Sequence, residues 1–399
     1  MSDKQSPGQT GISRDTVFLA FASLFEDVSS EMLYPILPIF LTQTLHATGS
    51  VVGLVEGIAQ ATQNVVQGLA GWLSDRLQRR KPLALVGYFI SAIGKPIMGL
   101  ANTWPALLGG RFMDRFGAGL RSAPRDALIA SSVAEQYRGK AFGLEGIGDN
   151  LGAFLGPLLA IVLLTAFHFQ MRSLFYLAII PGLLAFCMVL FVHEAKSSVT
   201  AKSRIEVNLR RFPAEYWKYL LVTALFALGN SSNSFLILQT KSLGASTGTT
   251  VLIYAGFNLV AALISYPAGS WSDKRGRRNI LFLAFIIFVA AYLAFARVTS
   301  VAAIAGLFVF YGLFQGTFRA VGKAFASDFV PAQFRASAVG WYSATLGLLQ
   351  LVASVIAGQL WERVSHAAVF YFGAVFAFVA GTALVILIPS VEKRPIVSP

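Results

Sequence analysis

Asp27 and Glu31 stand four residues apart in a largely apolar stretch, so on a helix they share one face at a separation of about 6 Å. Two carboxylates held that close repel, which favours keeping a proton on one of them and makes the pair a candidate proton carrier. A structural pair satisfied by Ser29, Ser30 or a basic neighbour is the competing reading. Glu145 and Asp149 repeat the spacing, with Asn150 beside them, and invite either a second proton-handling role or a salt-bridge network. Complementary groups run through two other stretches. Arg111, Arg115, Arg121 and Arg125 follow one another in the first, and Tyr311, Gln315, Arg319 and Lys323 recur every four residues in the second. A guanidinium presents a planar fork of donors suited to carboxylate or phosphate, so these stretches are candidates for holding an anion. Arg121 has acids in its own part of the chain, whereas Arg319 and Lys323 must find an acid across an interface, water or an anionic ligand. Asn230 and Asn233, within the neutral cluster Asn230-Ser231-Ser232-Asn233-Ser234, add uncharged hydrogen-bonding capacity.

These residues need elements to carry them, and the composition names the kind. Of 399 residues 55% are hydrophobic and 13% charged, too apolar for a chain that must cover its own surface in water. Apolar runs long enough to cross roughly 30 Å of hydrocarbon as helix are predicted near 16–42, 50–73, 83–102, 106–130, 141–166 and 173–193. A second set follows near 216–241, 249–271, 280–297, 301–326, 337–361 and 368–389. The fold class expected is an all-α membrane protein of twelve transmembrane helices in two pseudo-symmetric six-helix bundles. Residues 1–193 form the first, 216–399 the second, and the basic segment 194–215 is the linker. An ionisable side chain at mid-membrane depth is costly unless paired or wet, so Lys95, between Gly94 and Pro96, is expected to form an ion pair. Glu56, Gln60, Gln63, Asn64 and Gln67 form a polar stripe that must face protein or water and not lipid.

The sequence also repeats itself. Gly71, Ser74, Asp75, Arg79 and Arg80 return as Gly269, Ser272, Asp273, Arg277 and Arg278, all 198 positions later. Arg121 and Arg125 answer to Arg319 and Lys323 at the same offset, so the repeated unit is a membrane-spanning half in one orientation. With the N-terminus inside, 21 lysines and arginines fall on the cytoplasmic side, against Arg172, Lys241, Arg297 and Arg363 on the other. That bias predicts cytoplasmic termini and linker. The net charge of +13 is thereby spent on topology and not on nucleic acid. His46, His168, His193 and His366 lack the spacing of metal ligands or of a catalytic motif, and no phosphate-binding loop occurs, so no metal, no enzyme and no ATP-driven pump is expected. Cys187 is alone in an apolar run, and residues 1–15 lack the apolar core of a signal peptide.

The two copies, Gly71-Trp72-Leu73-Ser74-Asp75-Arg76-Leu77-Gln78-Arg79-Arg80 and Gly269 to Arg278, resemble the loop signature of the major facilitator superfamily. The first copy departs from it with Gln78 where glycine is expected. Arg138-Gly139, Arg335 after Pro331, and Arg111 with Asp114 resemble further motifs of that family, although Arg115 replaces a glycine. Gly148, Gly152, Gly156 and Pro157 resemble the glycine-proline signature of its proton-driven exporters, with Ala160-Ile161 departing from it. The resemblance spans essentially the whole chain. It implies a secondary transporter of the plasma (bacterial inner) membrane, working as a monomer by alternating access, without cofactor and driven by the proton gradient. Proton-coupled efflux of a small organic solute is the leading expectation, with symport or uniport of an organic anion as the alternative and a non-transporting receptor as a distant one. Asp27, Glu31, Glu145 and Asp149 would handle protons. Tyr311, Gln315, Arg319, Lys323, Arg121, Asn230 and Asn233 would contact the solute. Gly71, Asp75, Arg76, Arg79, Arg80, Gly269, Asp273, Arg277 and Arg278 would form a cytoplasmic latch, each aspartate accepting from a helix N-terminus in the opposite half.

Overall fold

The computed structural model describes residues 12–77, 79–134, 137–194, 212–331 and 334–389, with the backbone alone for Asp75, Arg138, Gly139, Arg335 and Ala336. Among these residues every regular element is helical. They are α1 (Arg14–Glu31), α2 (Leu37–Ile39), a π-helical turn (Phe40–Thr44), α3 (Gly49–Leu77), α4 (Lys81–Leu100), α5 (Trp104–Ser131), α6 (Arg138–Thr165), α7 (Met171–Leu177) and α8 (Ile179–Leu190). They continue as α9 (Ala214–Gly229), α10 (Ser234–Ser242), α11 (Thr247–Arg275), α12 (Arg277–Phe295), α13 (Val301–Asp328), α14 (Arg335–Arg363) and α15 (His366–Leu387). Nine helical stretches among the described residues are long and apolar enough to cross a membrane. The charge-bearing α1, α3 and α5 are not among those nine, although α3 and α5 run 29 and 28 residues.

Local sequence explains where these helices start and stop. Ser13, Ser246, Ser300 and Ser365 each accept a hydrogen bond from a backbone N–H of the first turn, and Pro82 and Pro105 occupy early positions where a missing N–H costs nothing. Gly276 joins α11 to α12 at φ +89°, a left-handed conformation that suits glycine. Its counterpart Gln78 lies outside the described residues.

Two of the expected spans are broken at equivalent places, the first where Pro35 and Pro38 are expected to kink or loosen the helix end. The α-helix of the first ends at Glu31, and a turn carrying Pro35 leads into α2 and the π-helical turn, so 16–42 is not one helix. The other breaks at residues 230–233, between α9 and α10, which are the first four residues of the neutral polar cluster. Glu31 and Gly229 are 198 positions apart, the offset of the repeat. Asn, Ser and Asp-type side chains compete with the helix for backbone groups, which is why the cluster makes a break and not a helical face. The third break, at Ala178 between α7 and α8, receives the Ser29 hydroxyl on the Ala178 carbonyl at 2.5 Å.

Glycine decides which helices approach closely. The face Gly148, Gly152 and Gly156 of α6 lies on α1: a Cβ at Gly152 would stand 2.6 Å from the Leu24 carbonyl oxygen, and one at Gly156 2.8 Å from the Met32 nitrogen. Gly152→Leu is expected to cost about 1–3 kcal/mol through overpacking, read as a lower melting temperature in detergent without loss of expression. An unchanged melting temperature would refute this packing.

The N-terminal helices α1–α8 pack mainly on one another, as do α9–α15, and two strong contacts join them, α3 with α14 and α6 with α11. The α3–α14 contact is tightest toward the Gly49 end. There Gly49 meets Trp361, Gly53 meets the Ser354 carbonyl, and a Cβ at Gly57 would stand 2.7 Å from Leu351. Toward the repeated stretches no neighbour approaches the added Cβ of Gly68, Gly143, Gly146, Gly269 or Gly340. The interiors differ in kind. The core of α9–α15 is aromatic, with Phe226, Phe285, Phe288, Tyr292, Tyr311 and Phe314 among its buried members, whereas that of α1–α8 encloses charge.

Candidate functional site

Glu26, Lys95 and Asp114 are almost wholly enclosed between α1, α4 and α5. Lys95 Nζ lies 2.9 Å from Glu26 Oε1 and 4.0 Å from Asp114, and Arg121 reaches the same Glu26 oxygen at 3.3 Å while its guanidinium stacks 4.9 Å over the Tyr88 ring. Arg111 grips Glu56 of α3 at 3.0 Å and Asp114 at 3.2 Å, and Arg115 reaches Asp114 at 2.7 Å and Gln63 at 3.2 Å. Ser91 donates at 2.8 Å to either Glu26 or Asp114. In a low-dielectric interior each charge is tolerable only because an opposite one meets it. Lys95 is therefore ion-paired as expected, and part of the α3 polar stripe, Glu56 and Gln63, serves helix packing. Arg121, expected to touch solute, is neutralised within its own set of helices and is 7% exposed.

Glu26 is the partner that sequence reasoning passed over in favour of its neighbour Asp27. The signal was available: a buried lysine at 95 requires a carboxylate, and α1 offers four, Asp15 at its first turn and Glu26, Asp27 and Glu31 deeper in. Consecutive helical residues point about 100° apart, so Glu26 faces α4 and α5 while Asp27 does not.

Asp27 is half-buried beside Gly152 of α6 and has no hydrogen-bond or ion-pair partner among the described residues. Glu31, one turn on, crosses to the other set of helices: its Oε2 accepts from the Tyr254 hydroxyl at 3.1 Å and from Asn258 Nδ2 at 3.3 Å, both on α11. Tyr34 stacks on Tyr254 at 5.3 Å beside this clasp, and Asn258 also donates to the Ala153 carbonyl of α6 at 3.1 Å. Glu145 and Asp149 sit differently. Arg125 binds Glu145 at 2.9 Å, Asp126 at 3.1 Å and Asp149 at 3.7 Å, and Ser23 donates to Glu145 at 3.1 Å. The two acids thus belong to an ion-pair network with α5, the competing reading of their spacing.

The expected solute residues fall into two sets. Tyr311 is fully buried among Phe257, Phe288, Tyr292 and Phe314, and its hydroxyl donates to Asn233 Oδ1 at 3.0 Å. This pair ties α13 to the α9–α10 break and leaves Tyr311 no solvent face. Arg319 and Lys323, by contrast, are exposed side chains with no ion pair among the described residues. Arg319 is near enough to Glu31, and Lys323 to Asp126, for the charges to act on one another, so this stripe of α13 looks toward α1 and α5. Gln315, partly buried, lies one turn from Arg319 in the direction of Tyr311, and Asn230 is partly buried at the helix break. A separate cavity of about 540 Å³, lined by Phe40, Thr165, Met171, Arg172 and Thr247 among others, shares no residue with this stripe.

Among the described residues, the second repeated stretch does not bridge the two sets of helices. Asp273 pairs with Arg277 at 3.2 Å, which also holds Asp328 at 2.8 Å, and Arg278 donates to the Val385 carbonyl at 2.8 Å. These contacts join α11 to α15 among themselves, so the expected acceptance from an opposite helix N-terminus is not made by Asp273. The cause is geometric: Gly269 beside it has open space around it. Arg76 stacks over Trp72 at 5.4 Å, Arg79 is exposed, and Arg80 donates to the Ala127 carbonyl at 3.2 Å and through its backbone N–H to Glu194. Gly71 approaches Ala123 of α5. The Asp75 side chain and most of the 194–215 linker lie outside the described residues.

Comparison with known proteins places this arrangement. Residues 19–237 and 219–398 each match the family model described as Major Facilitator Superfamily. The chain is 32% identical over 390 residues to "Uncharacterized MFS-type transporter MJ1317" of Methanocaldococcus jannaschii, covering 96% of this chain and 97% of that protein. It is 24% identical over 263 residues to "Multidrug resistance protein MdtH" of Salmonella typhi, covering 65% of this chain and 64% of that one. Its fold resembles the crystal structure of a D-xylose-proton symporter with a TM-score of 0.75 at 17% identity, covering 94% and 97% of the two chains. Together with the helical, charge-bearing membrane architecture, these matches assign the chain to the Major Facilitator Superfamily of integral membrane transporters.

Proposed function

We propose that the protein is a proton-coupled exporter of a small organic solute, working by alternating access between two six-helix bundles of twelve spans in all. The bundles are residues 1–193 and 216–399, the linker is 194–215, and both termini face the cytoplasm of a bacterial inner membrane. The observation that carries this reading is the Glu31 clasp. An ionised Glu31 accepts two charge-assisted hydrogen bonds from α11, and protonation removes the charge and leaves weaker neutral bonds, which loosens the link between the bundles. Asp27, one turn away and unpartnered, supplies the second proton site. A proton on this pair thus biases which end of the interface is closed, which is what coupling requires.

With the repeated stretches on the cytoplasmic side, the tight α3–α14 seam closes the outer end and the exposed Arg319 and Lys323 of α13 are reached from within, the state in which an exporter loads. The relationship to a multidrug resistance protein supports efflux. Symport or uniport of an organic anion is the second reading, favoured by the unpaired Arg319 and Lys323. Purified protein in liposomes under an imposed pH gradient tests both: solute moving against the proton flow is the expected result. Movement with the protons replaces exchange by symport, and proton-independent flux abolished by Arg319→Ala removes coupling altogether.

A further inference from the structure

We infer that the solute is an organic anion whose carboxylate or phosphate group is held by Arg319 and Lys323 of α13; this rests on the transporter reading above and names its substrate class. The two cations lie one turn apart, about 6 Å along the helix axis, and both are exposed while the core beside them is aromatic. Counting from the Asp328 end of α13, Lys323 is about 7 Å inward and Arg319 about 13 Å, so they form a graded path that leads from that end toward Glu31.

Charge accounting favours a ligand over a missing protein partner. Among the described residues, all but one of the acids near α13 are otherwise engaged. Glu31 is bound to Tyr254 and Asn258, while Asp126 and Asp149 are bound to Arg125. The exception, Asp27, packs on Gly152 of α6 among Asp149, Glu31, Arg121 and Arg125, and the main charges that act on it do not include Arg319 or Lys323. Glu26, Glu56 and Asp114 are consumed inside α1–α8 by Lys95, Arg111, Arg115 and Arg121. The helices α9–α15 contribute no acid to the stripe before Asp328. Two exposed cations with no carboxylate in ion-pair distance among the described residues make a local positive field that concentrates anions, and the arginine fork gives that attraction a geometry.

The test does not need the natural solute. In a Cys187→Ser background, Gln315→Cys places one thiol a turn deeper than Arg319, and its rates with a sulfonate-bearing and a trimethylammonium-bearing methanethiosulfonate are each referred to a free thiol. The anionic reagent is expected to be favoured by about tenfold, with the preference lost in R319Q/K323Q. No preference, or preference for the cation, overturns the inference. A second measurement separates its failure from that of the transporter reading. Liposomes are offered labelled benzoate and phenyl phosphate beside benzamide and benzylamine. Movement of the anions alone, abolished in R319Q/K323Q, supports the inference, whereas movement of only the neutral or cationic compounds overturns it and leaves transport intact. No movement of any compound counts against transport itself. Because both side chains are exposed and without an ion pair among the described residues, R319Q/K323Q should keep the melting temperature of the parent, which excludes misfolding as the cause of a loss.

Discussion

Lys95→Met should destabilise the folded protein by about 3–5 kcal/mol, the range for removing one partner of a buried ion pair. The substitution keeps roughly the volume and removes the charge that lies 2.9 Å from Glu26, a side chain with no exposure. Glu26 keeps Arg121 at 3.3 Å, and one of its oxygens, Oε2, already lacks a hydrogen-bond partner, so there is little slack to absorb the loss. The double variant Glu26→Gln with Lys95→Met removes both charges and should recover part of the loss, since an uncharged replacement avoids the desolvation cost of the pair. Thermal unfolding in detergent, with transport followed in parallel, reads both effects. A single variant as stable as the parent would show that the network is not structural.

Glu31→Gln should uncouple transport from protons. Glutamine keeps the size and an oxygen that can accept from Tyr254 and Asn258, but it cannot ionise, so the clasp no longer responds to pH. Accumulation driven by a pH gradient is expected to fall at least about tenfold, the scale of a proton-handling group. Exchange of labelled for unlabelled solute across the same membrane should continue. Asp27→Asn should show the same split if the pair acts as a unit, and its lack of a hydrogen-bond or ion-pair partner among the described residues means that stability should hardly change. Loss of exchange together with driven transport would place Glu31 in the packing of the interface and not in coupling.

Much of this molecule is legible from its residues, for reasons that differ between features. The helical membrane character follows from apolar run length, and the repeat from direct comparison of Gly71 to Arg80 with Gly269 to Arg278. Lys95 could be read as ion-paired because a lone ammonium in hydrocarbon has no other stable state. The glycine face of α6 was readable too, because a helix without side chains on one face invites a neighbour. Less legible was the assignment of acids to bases. Arg125 could pair with Asp126, Glu145 or Asp149, and the chain order does not choose among them; the packing of α5 and α6 brings Glu145 and Asp149 to it beside the adjacent Asp126. Tyr311 and Arg319 share a four-residue spacing, yet eight residues rotate a helix by about 80°. That turn carries the first into an aromatic core and the second into the open.

Sequence alone determined that the chain is a helical membrane protein of duplicated design with ionisable groups inside its spans, because periodicity, run length and charge placement are local properties. Tertiary structure decided which of those groups are spent on holding helices together and which remain available. Glu26 went to Lys95, Glu145 and Asp149 to Arg125, and Glu31 to α11, while Arg319 and Lys323 were left facing open space. The physical reason is that a buried charge is settled by whichever opposite charge lies within a few ångströms, and that proximity arises between helices far apart in the chain.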